Sequence, residues 1–258
     1  MERDFRFVYG PVPSWRLGAS LGIDLLSREE KICSFDCVYC QLGRTALLTI
    51  DRGLYVATEA LLGEIAALPP EVQIDTVTFS GRGEPTLAEN LGEAIAAVKR
   101  LRREPVAVLT NSSLIGREEV RADLERADLV VAKLDAPTAE LLRAINRPAA
   151  GVAFEGILDG LIAFRHQYRG RLAIQIMFVP ENREAADELA RLACRIGADE
   201  VQVNTPLRPG GSRPLDRFEI QGIAECFRDL PVRCVYEEPR KEVTPIRAGD
   251  TLRRRGKG

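Results

Sequence analysis

The sequence predicts an α/β fold, a partial (βα)6 barrel of the TIM type. Short, nearly continuous apolar runs alternate with longer stretches of helical periodicity, which is typical of a parallel sheet buried on both faces. Polar residues capable of chemistry follow the end of each predicted strand, and the active site of an α/β barrel forms at that face. An open doubly wound sheet has the same order of elements. Six polar strand ends that converge on one mouth favour the barrel.

The predicted elements follow one another as six βα units. The strands are predicted at residues 21–25, 76–80, 106–110, 129–134, 172–179 and 200–204. The helices are predicted at residues 58–67, 87–103, 117–126, 154–168, 183–196 and about 215–228. The second helix has an apolar face formed by Leu91, Ile95, Val98 and Leu101.

Two regions are expected along the chain. Residues 1–210 would form the core barrel. Residues 211–258 would form a C-terminal extension packed on the same domain, with the last helix, a short strand within 232–236 and a basic tail. The arginines and lysine at 253–257 are expected to be frayed, because terminal charge runs are usually solvated.

Composition narrows the function classes. The chain has 258 residues, 45% hydrophobic and 29% charged, and a net charge of −2, so no global field attracts it to nucleic acid or anionic membranes. No apolar run reaches the about 18–20 residues of a membrane helix, and the first residues show no apolar signal segment. We therefore expect a cytoplasmic protein with no membrane partner, in which clustered cysteines serve metal binding or catalysis. The oligomeric state is not predicted.

The most informative motif is a CxxxCxxC triplet, formed by Cys33, Cys37 and Cys40. Thiolates at close spacing favour Zn, Cu(I) or an iron–sulfur cluster. A structural Zn site and a protein-held [4Fe–4S] cluster both use four ligands, and only three are local. We predict a [4Fe–4S] cluster whose fourth iron is left for a molecule other than protein. The alternative is a Zn site with Cys226 or Cys234 as a distant fourth ligand.

A second motif turns sharply after the second predicted strand. Gly81 and Gly83 allow another molecule close to the backbone, Glu84 places a carboxylate at the mouth, and Pro85 fixes the turn. These groups could bind the amine of a ligand. The alternative is an ordinary strand-to-helix turn capped by Glu84. A phosphate-binding loop fits poorly, because no Gly-Lys-Ser/Thr follows.

Together the two motifs resemble those of the radical S-adenosylmethionine (radical SAM) superfamily. Further stretches resemble one subgroup, the short iron–sulfur oxidoreductases related to the wyosine-base-forming tRNA enzymes. They are Tyr9-Gly-Pro-Val-Pro-Ser-Trp-Arg-Leu-Gly, Cys37-Val-Tyr-Cys-Gln-Leu-Gly-Arg-Thr, Ile145-Asn-Arg-Pro and Val203-Asn-Thr-Pro-Leu-Arg-Pro. The resemblance covers residues 5–210 and is more specific for the superfamily than for a substrate.

The resemblance implies a radical SAM enzyme with a partial barrel, one [4Fe–4S] cluster held by the three cysteines, and S-adenosylmethionine (SAM) on its open iron. Reductive cleavage of SAM would give a 5′-deoxyadenosyl radical that abstracts hydrogen from a substrate. Tyr39 matches the aromatic position against the adenine. Gly81, Gly83 and Glu84 match the turn that binds the methionyl amine, although Arg82 interrupts the usual glycine pair.

Four further residues are candidates for contacts with SAM. Lys133 is a candidate for the methionyl carboxylate by charge pairing. Asn111, Ser112 and Asn204 could hydrogen-bond the ribose or adenine. The alternative for Lys133 is a strand-end ion pair with Asp135, and for Asn111 and Ser112 it is local turn chemistry. No catalytic side chain is assigned.

The partners are predicted only by class. The electron donor would be flavodoxin-like or ferredoxin-like, and the substrate would be a tRNA base, a small metabolite or a peptide side chain. A function of a different class, a non-catalytic Zn- or cluster-binding module, is kept as an alternative. Trp15 departs from the arginine of the subgroup and is expected to pack, and Cys194 is expected to be a small buried residue in its helix.

Overall fold

The computed structural model describes residues 5–208 and 210–255 of the chain. Its centre is one eight-stranded sheet that curls into a half-barrel. In spatial order, the strands are β1 (Val8–Ser14), β2 (Gly18–Ile23), β5 (Thr76–Phe79), β6 (Val106–Thr110), β7 (Leu129–Lys133), β8 (Arg171–Met177), β9 (Glu200–Asn204) and β10 (Val232–Cys234). A separate two-stranded ribbon pairs β3 (Ile32–Cys33) with β4 (Leu47–Leu48).

Helices follow most strands. They are α1 (Thr58–Ala66), α2 (Leu91–Leu101), α3 (Glu118–Leu124), α4 (Ala139–Ile145), α5 (Phe154–Gln167), α6 (Ala186–Ile196), α7 (Arg217–Glu225) and α8 (Ala248–Arg255), with short 3-10 turns at Pro85–Leu87 and Arg183–Ala185. None of these helices is long and apolar enough to cross a membrane.

The predicted partial barrel is confirmed. The six predicted strands correspond to β2 and β5 to β9, and each pairs with its neighbour in parallel. The sheet then extends by one strand at each edge. Strand β10 adds in parallel to β9, whereas β1 adds antiparallel to β2. Strands β1, β3 and β4 and helices α4 and α8 were not predicted.

The two faces of each strand have different environments, because successive side chains point to opposite sides of a sheet. Along β5, Val77 and Phe79 are fully buried in the main hydrophobic cluster. Thr78 between them lines an interior cavity and lies 2.7 Å from the Ser20 hydroxyl of β2. The outer face therefore holds the fold together, and the inner face is free to be polar.

Local chemistry sets the helix ends. The Asp216 carboxylate accepts from the Glu219 amide, and the Glu219 side chain accepts from the Asp216 amide, so a capping box begins α7. Helix α6 ends at Gly197, whose φ of 76° lies in the left-handed region. On α2, Leu91, Ile95 and Val98 are fully buried as predicted, but Leu101, the last helical residue, is half exposed.

The chain after β10 covers the β1 edge of the sheet. The Ile246 amide donates to the Gly10 carbonyl at 2.6 Å, and the Gly10 amide donates to Thr251 Oγ1 on α8 at 3.2 Å. The prediction of a frayed basic end is therefore wrong through residue 255, because α8 docks against β1. Residues 256 and 257 of that basic end lie outside the described residues.

Two expectations about single side chains have different outcomes. Cys194 is exposed, so the prediction of a buried residue is wrong. The buried face of α6 is formed by its aliphatic neighbours Leu189, Ala193 and Ile196, and Cys194 lies off that face. Trp15 is buried at the hairpin between β1 and β2, as packing requires, and it also lines the interior cavity.

Candidate active site

A cavity of about 430 Å³ occupies the inside of the half-barrel. All the predicted site residues except Ser112 line it: Cys33, Cys37, Tyr39, Cys40, Gly81, Gly83, Glu84, Asn111, Lys133 and Asn204. They come from the carboxyl ends of the parallel strands and from the loop after β2, as the barrel topology requires. Ser112 is fully buried behind the cavity wall, in a left-handed conformation with φ of 68°.

The cysteine loop is held by backbone contacts with the end of α4. The Val38 amide donates to the Ile145 carbonyl at 2.9 Å, and the Asp36 amide donates to the Asn146 carbonyl at 3.0 Å. Within the loop, the Asp36 carboxylate accepts from the Thr45 amide at 2.7 Å. The positions of the thiols are therefore set by residues about 100 positions later in the chain.

Two of the thiols each lie beside a buried side-chain amide. Asn111 Nδ2 lies 3.6 Å from Cys33 Sγ, and Asn146 Nδ2 lies 3.4 Å from Cys37 Sγ. Amide donors of this kind stabilise thiolates and tune the metal groups bound to them. Asn111 also lines the cavity, and its predicted contact with ribose or adenine stays a prediction.

Sequence reasoning missed Asn146. Its amide also lies 3.1 Å from Tyr39 Oη and 2.8 Å from Asp135 Oδ2. The residue stands in the Ile145-Asn-Arg-Pro stretch that carried part of the resemblance. Its contacts join residues 37, 39 and 135, and no periodicity or spacing in the sequence reveals that proximity.

Two of the three thiols, those of Cys33 and Cys37, are strongly desolvated. Burial raises the pKa of Cys33 to about 12, with a further contribution from Cys37 and Glu84. Burial and then Asp135 raise the pKa of Cys37 to about 11. Ionised thiolates at these positions need a nearby positive charge, which a bound metal group supplies.

Lys133 packs over the ring of Tyr39, and both side chains contact the Asp135 carboxylate. Tyr39 Oη donates to the Asp135 carboxylate, and burial raises the pKa of Tyr39 well above its usual value, with Asp135 adding to the rise. Lys133 Nζ lies 5.0 Å from the Tyr39 ring centroid, 3.2 Å from Asp135 Oδ1 and 3.0 Å from Gln175 Oε1. The strand-end ion pair that was the alternative for Lys133 is therefore present. Asn204 accepts from the Thr205 amide at 2.9 Å, next to the same cavity.

Two other segments of the chain pack closely against the glycine turn that follows β5. A Cβ on Gly81, whose φ is 143°, would lie 2.4 Å from the Asp24 carboxyl carbon. A Cβ on Gly83 would lie 1.6 Å from the Ile32 carbonyl oxygen of β3. These glycines are required by close protein neighbours, and the cavity lies on the remaining side of the turn.

Glu84 is bound by four protein donors. Its Oε1 accepts from the Thr86 amide and hydroxyl and from the Thr110 hydroxyl, and its Oε2 accepts from the Asn111 amide at 2.6 Å. Burial raises the pKa of Glu84, and the Asn111 hydrogen bond opposes that rise. Three of these bonds go to Oε1 and one to Oε2, so Glu84 joins the ends of β5 and β6 while Oε2 keeps an acceptor position. Its contact with the SAM amine stays a prediction.

The family model of the radical SAM superfamily matches residues 31–193 of this chain. The chain belongs to the radical SAM superfamily. A UPF0026 protein of Synechocystis sp. is 42% identical over 223 residues, which are 86% of this chain and 82% of that relative. The predicted family is thereby confirmed.

Solved radical SAM structures share the fold. The structure of Streptococcus suis SuiB bound to S-adenosylmethionine superposes with a TM-score of 0.64 over 84% of this chain, at 16% identity. This chain spans 50% of the SuiB chain. Archaeal TYW1 superposes with a TM-score of 0.55 over 82% of this chain and 72% of its own length, also at 16% identity. At such identities the likeness concerns the fold alone.

Radical SAM enzymes bind a [4Fe–4S] cluster and SAM and need an external electron donor. The chain is therefore an enzyme, and the alternative of a non-catalytic binding module is wrong. The three thiols are free of disulfides and line one cavity, as the ligands of a single cluster must. No three Cys, His, Asp or Glu side chains within residues 5–208 and 210–255 gather around a single-ion position. A cubane cluster does not require that, since its thiolates bind different irons.

Proposed function

We propose that Cys33, Cys37 and Cys40 hold one [4Fe–4S] cluster and that the chain uses it to cleave SAM reductively. The bound cofactors would supply a 5′-deoxyadenosyl radical that abstracts hydrogen from a substrate. The observation that carries the proposal is the arrangement of three free thiols in one cavity, two of them beside buried amide donors. Such donors suit thiolates that bind metal.

The residues around the thiols suggest how SAM is held. We assign its amino group to the main-chain carbonyls of the turn at Gly81 and Gly83, with Glu84 fixing that turn through its four hydrogen bonds. Lys133 remains the candidate for the carboxylate. Its ammonium has three donors, and Asp135 and Gln175 account for two of them.

The structure supports some of the residues proposed to contact the adenosyl group of SAM better than others. Tyr39 offers a ring in the cavity wall whose hydroxyl is already bound by Asp135, so its face is the part left for a ligand. Asn204 lies at the end of β9 on the same cavity. Asn111 is better supported as a donor to Cys33, and Ser112 as a residue that shapes the turn.

The test is anaerobic reconstitution with iron and sulfide, followed by reduction in the presence of SAM. The wild-type protein should form 5′-deoxyadenosine, and Cys33→Ala, Cys37→Ala and Cys40→Ala should lose both the cluster absorbance and the product. Cys194→Ala is the matched control, because that thiol is exposed on α6 and should leave both unchanged. Wild-type protein that binds one Zn and takes up no iron would refute the proposal.

The electron donor, the cellular compartment and the substrate are proposed in general terms. A flavodoxin-like or ferredoxin-like protein would supply the electron. We keep the cytoplasm as the compartment, because free clustered thiols suit a reducing environment. A tRNA base is retained as a substrate because the sequence resembles the wyosine-forming enzymes, and a metabolite or a peptide is the alternative.

A further inference from the structure

Asp135 is a buried carboxylate that contacts the residues around the cysteine site from behind the cavity wall. It follows β7, is 3% exposed and is not among the described residues that line the cavity. Its Oδ1 accepts from the Met177 amide at 2.8 Å and lies 3.2 Å from Lys133 Nζ. Its Oδ2 accepts from the Tyr39 hydroxyl and, at 2.8 Å, from Asn146 Nδ2. Donors on both oxygens fix the carboxylate in place.

This carboxylate decides which end of the Asn146 amide faces the cysteine loop. Asn146 is 1% exposed, and its main chain is fixed by hydrogen bonds with Leu142 and Asp36. Its Nδ2 faces Asp135 and lies 3.4 Å from Cys37 Sγ, whereas its Oδ1 is buried with no hydrogen-bond partner among the described residues. An unsatisfied buried oxygen is costly. A flipped amide would direct that oxygen at a carboxylate that only accepts, which is worse. Asp135 therefore holds the N–H end toward Cys37.

The same carboxylate takes the single proton of the Tyr39 hydroxyl. Tyr39 is also close to the thiol of Cys37: burial and then Asp135 raise the pKa of Cys37, and hydrogen bonds from Asn146 and then Tyr39 oppose that rise. A phenol has one O–H to donate. While that O–H is donated to Asp135, the Asn146 N–H is the donor left for the sulfur.

An ion pair with Lys133 does not account for these contacts. The Lys133 ammonium lies beside Oδ1 and also meets Gln175 Oε1 at 3.0 Å. The two donors on Oδ2, Tyr39 and Asn146, are neutral and add nothing to charge balance. They are, however, the two side chains able to donate to Cys37. The Oδ2 side of Asp135 is therefore directed at the cysteine loop rather than at a cation.

We propose that Asp135 is a positioning residue of the cysteine site, which acts on Cys37 through Asn146. By holding the Tyr39 O–H and orienting the Asn146 amide, it makes an amide N–H the donor to this sulfur. Such donors tune the metal group that a thiolate binds. The inference rests on the proposed function for the cluster at Cys37, but the orientation of the amide is measurable without a cluster.

Nuclear magnetic resonance of the full chain before reconstitution tests the orientation. The side-chain amide protons of Asn146, assigned by their loss in Asn146→Ala, should show a nuclear Overhauser effect to the Cys37 β protons. In Asp135→Asn that effect should fall at least twofold, because residue 135 then no longer demands a donor on both oxygens. Equal intensity in wild type and Asp135→Asn would overturn the proposal.

Midpoint potentials of the reconstituted cluster test whether Asp135 acts through Asn146. Asn146→Ala should lower the potential of the wild-type protein. In the Asp135→Asn background it should lower it less than half as much, because the Tyr39 O–H is then free to donate to Cys37. The charge lost at residue 135 is common to both members of the second pair, so this double-mutant cycle cancels it. Equal shifts in the two backgrounds would refute the proposal.

Asn111 provides the matched control for both measurements. Its amide lies 3.6 Å from Cys33 Sγ and donates to Ser34 Oγ at 2.9 Å, so a hydroxyl rather than Asp135 holds it. Its nuclear Overhauser effect to Cys33 should be unchanged in Asp135→Asn, and Asn111→Ala should shift the potential equally in both backgrounds. Changes as large as those at Asn146 would show a general disturbance and contradict the proposal.

Tyr39→Phe keeps Asp135 and therefore decides the question if Asp135→Asn does not fold. If the Tyr39 O–H is held by Asp135, the potential should stay constant or rise, because the Asn146 N–H shared with Tyr39 Oη passes to Cys37. A fall as large as that in Asn146→Ala would show that Tyr39 serves the sulfur and would overturn the proposal. A wild-type chain that takes up no iron loses its proposed function, and the resonance comparison still decides this inference.

Discussion

Arg233 donates a hydrogen bond of 2.8 Å to the main-chain carbonyl of Trp15. The same guanidinium donates to the Arg16 carbonyl at 2.9 Å and pairs with Glu238. Arg233 belongs to β10 and Trp15 to the hairpin after β1, so one side chain joins the two edges of the curled sheet. The half-barrel is thereby bridged at the amino-terminal end of β2.

Removal of this bridge should loosen the fold. We expect Arg233→Met to lower the free energy of unfolding by about 1–3 kcal/mol, because charge-assisted hydrogen bonds contribute about that much when partly buried. Chemical denaturation measures the change. Arg195→Met on the exposed face of α6 should cost less than about 0.5 kcal/mol. Equal losses in the two variants would show that Arg233 does not bridge the sheet edges.

The glycine at 83 should be intolerant of any side chain. A Cβ there would lie 1.6 Å from the Ile32 carbonyl oxygen, so Gly83→Ala must displace β3 and with it Cys33. We expect loss of cluster absorbance after reconstitution, or failure to fold. Gly63→Ala, in open space on α1, should instead raise stability by about 0.5–1 kcal/mol. A Gly83→Ala protein with a full cluster would contradict the packing described here.

Glu84→Gln separates two roles of this carboxylate. If Glu84 fixes the turn, an amide in place of one oxygen must face a donor, and stability should fall by about 1–3 kcal/mol. The KM for SAM should then change little relative to kcat. If the carboxylate binds the SAM amine directly, the KM should rise instead, with a smaller effect on unfolding. Denaturation and steady-state kinetics on the same preparation distinguish the outcomes.

Asn146→Ala should alter the metal site without dismantling it. Loss of an N–H donor to Cys37 Sγ leaves more charge on the thiolate, so the midpoint potential of the reconstituted cluster should fall. Asn111→Ala should act the same way through Cys33. Asn90→Ala is the matched control, since Asn90 is also buried but binds Val56 and Thr58. Potentiometric titration followed by electron paramagnetic resonance gives the potentials; identical values in all variants would rule out the amide effect.

Stability should depend on pH through Asp24. Burial raises the pKa of Asp24 above its usual value, and Arg254 opposes that rise. The folded chain therefore keeps this proton to a higher pH than the unfolded chain, whose carboxyl titrates near about 3.9. Stability from this group falls as the pH rises between the two pKa values and is constant above both.

Arg254→Gln should extend that fall to higher pH, because the cation that favours the ionised carboxylate is gone. The contribution should vanish in Asp24→Asn, which does not titrate. Denaturant midpoints measured from pH 4 to pH 8 for the three proteins test the sign. A slope that is the same in wild type and Asp24→Asn would show that Asp24 titrates normally.

Much of the barrel could be predicted because its six central strands are short apolar runs between amphipathic helices. Strand β1 was missed because Pro11 and Pro13 interrupt it and proline is disfavoured in strands. At the sheet edge the missing amides have no partner strand on that side, so the strand still forms. Helix α8 was missed because its sequence is charged and its docking depends on Thr251 rather than on an apolar face.

The site was predictable where residue type and spacing carry the chemistry, as in the cysteine triplet and the glycine turn. It was not predictable where a role depends on proximity in space. Asn146 is an example, because its partners Cys37, Tyr39 and Asp135 come from separate parts of the chain. The close protein neighbours of the two glycines, Asp24 and Ile32, were likewise not predictable, since only the fold shows them.

The docking of α8 on β1 has a consequence for the order in which the protein matures. The contact joins Gly10 and Thr251, which are 241 residues apart. A ribosome therefore finishes the cysteine loop well before it makes the helix that covers the β1 edge. Because Arg254 of α8 lines the cavity, the cavity wall is complete only once this helix has docked on β1.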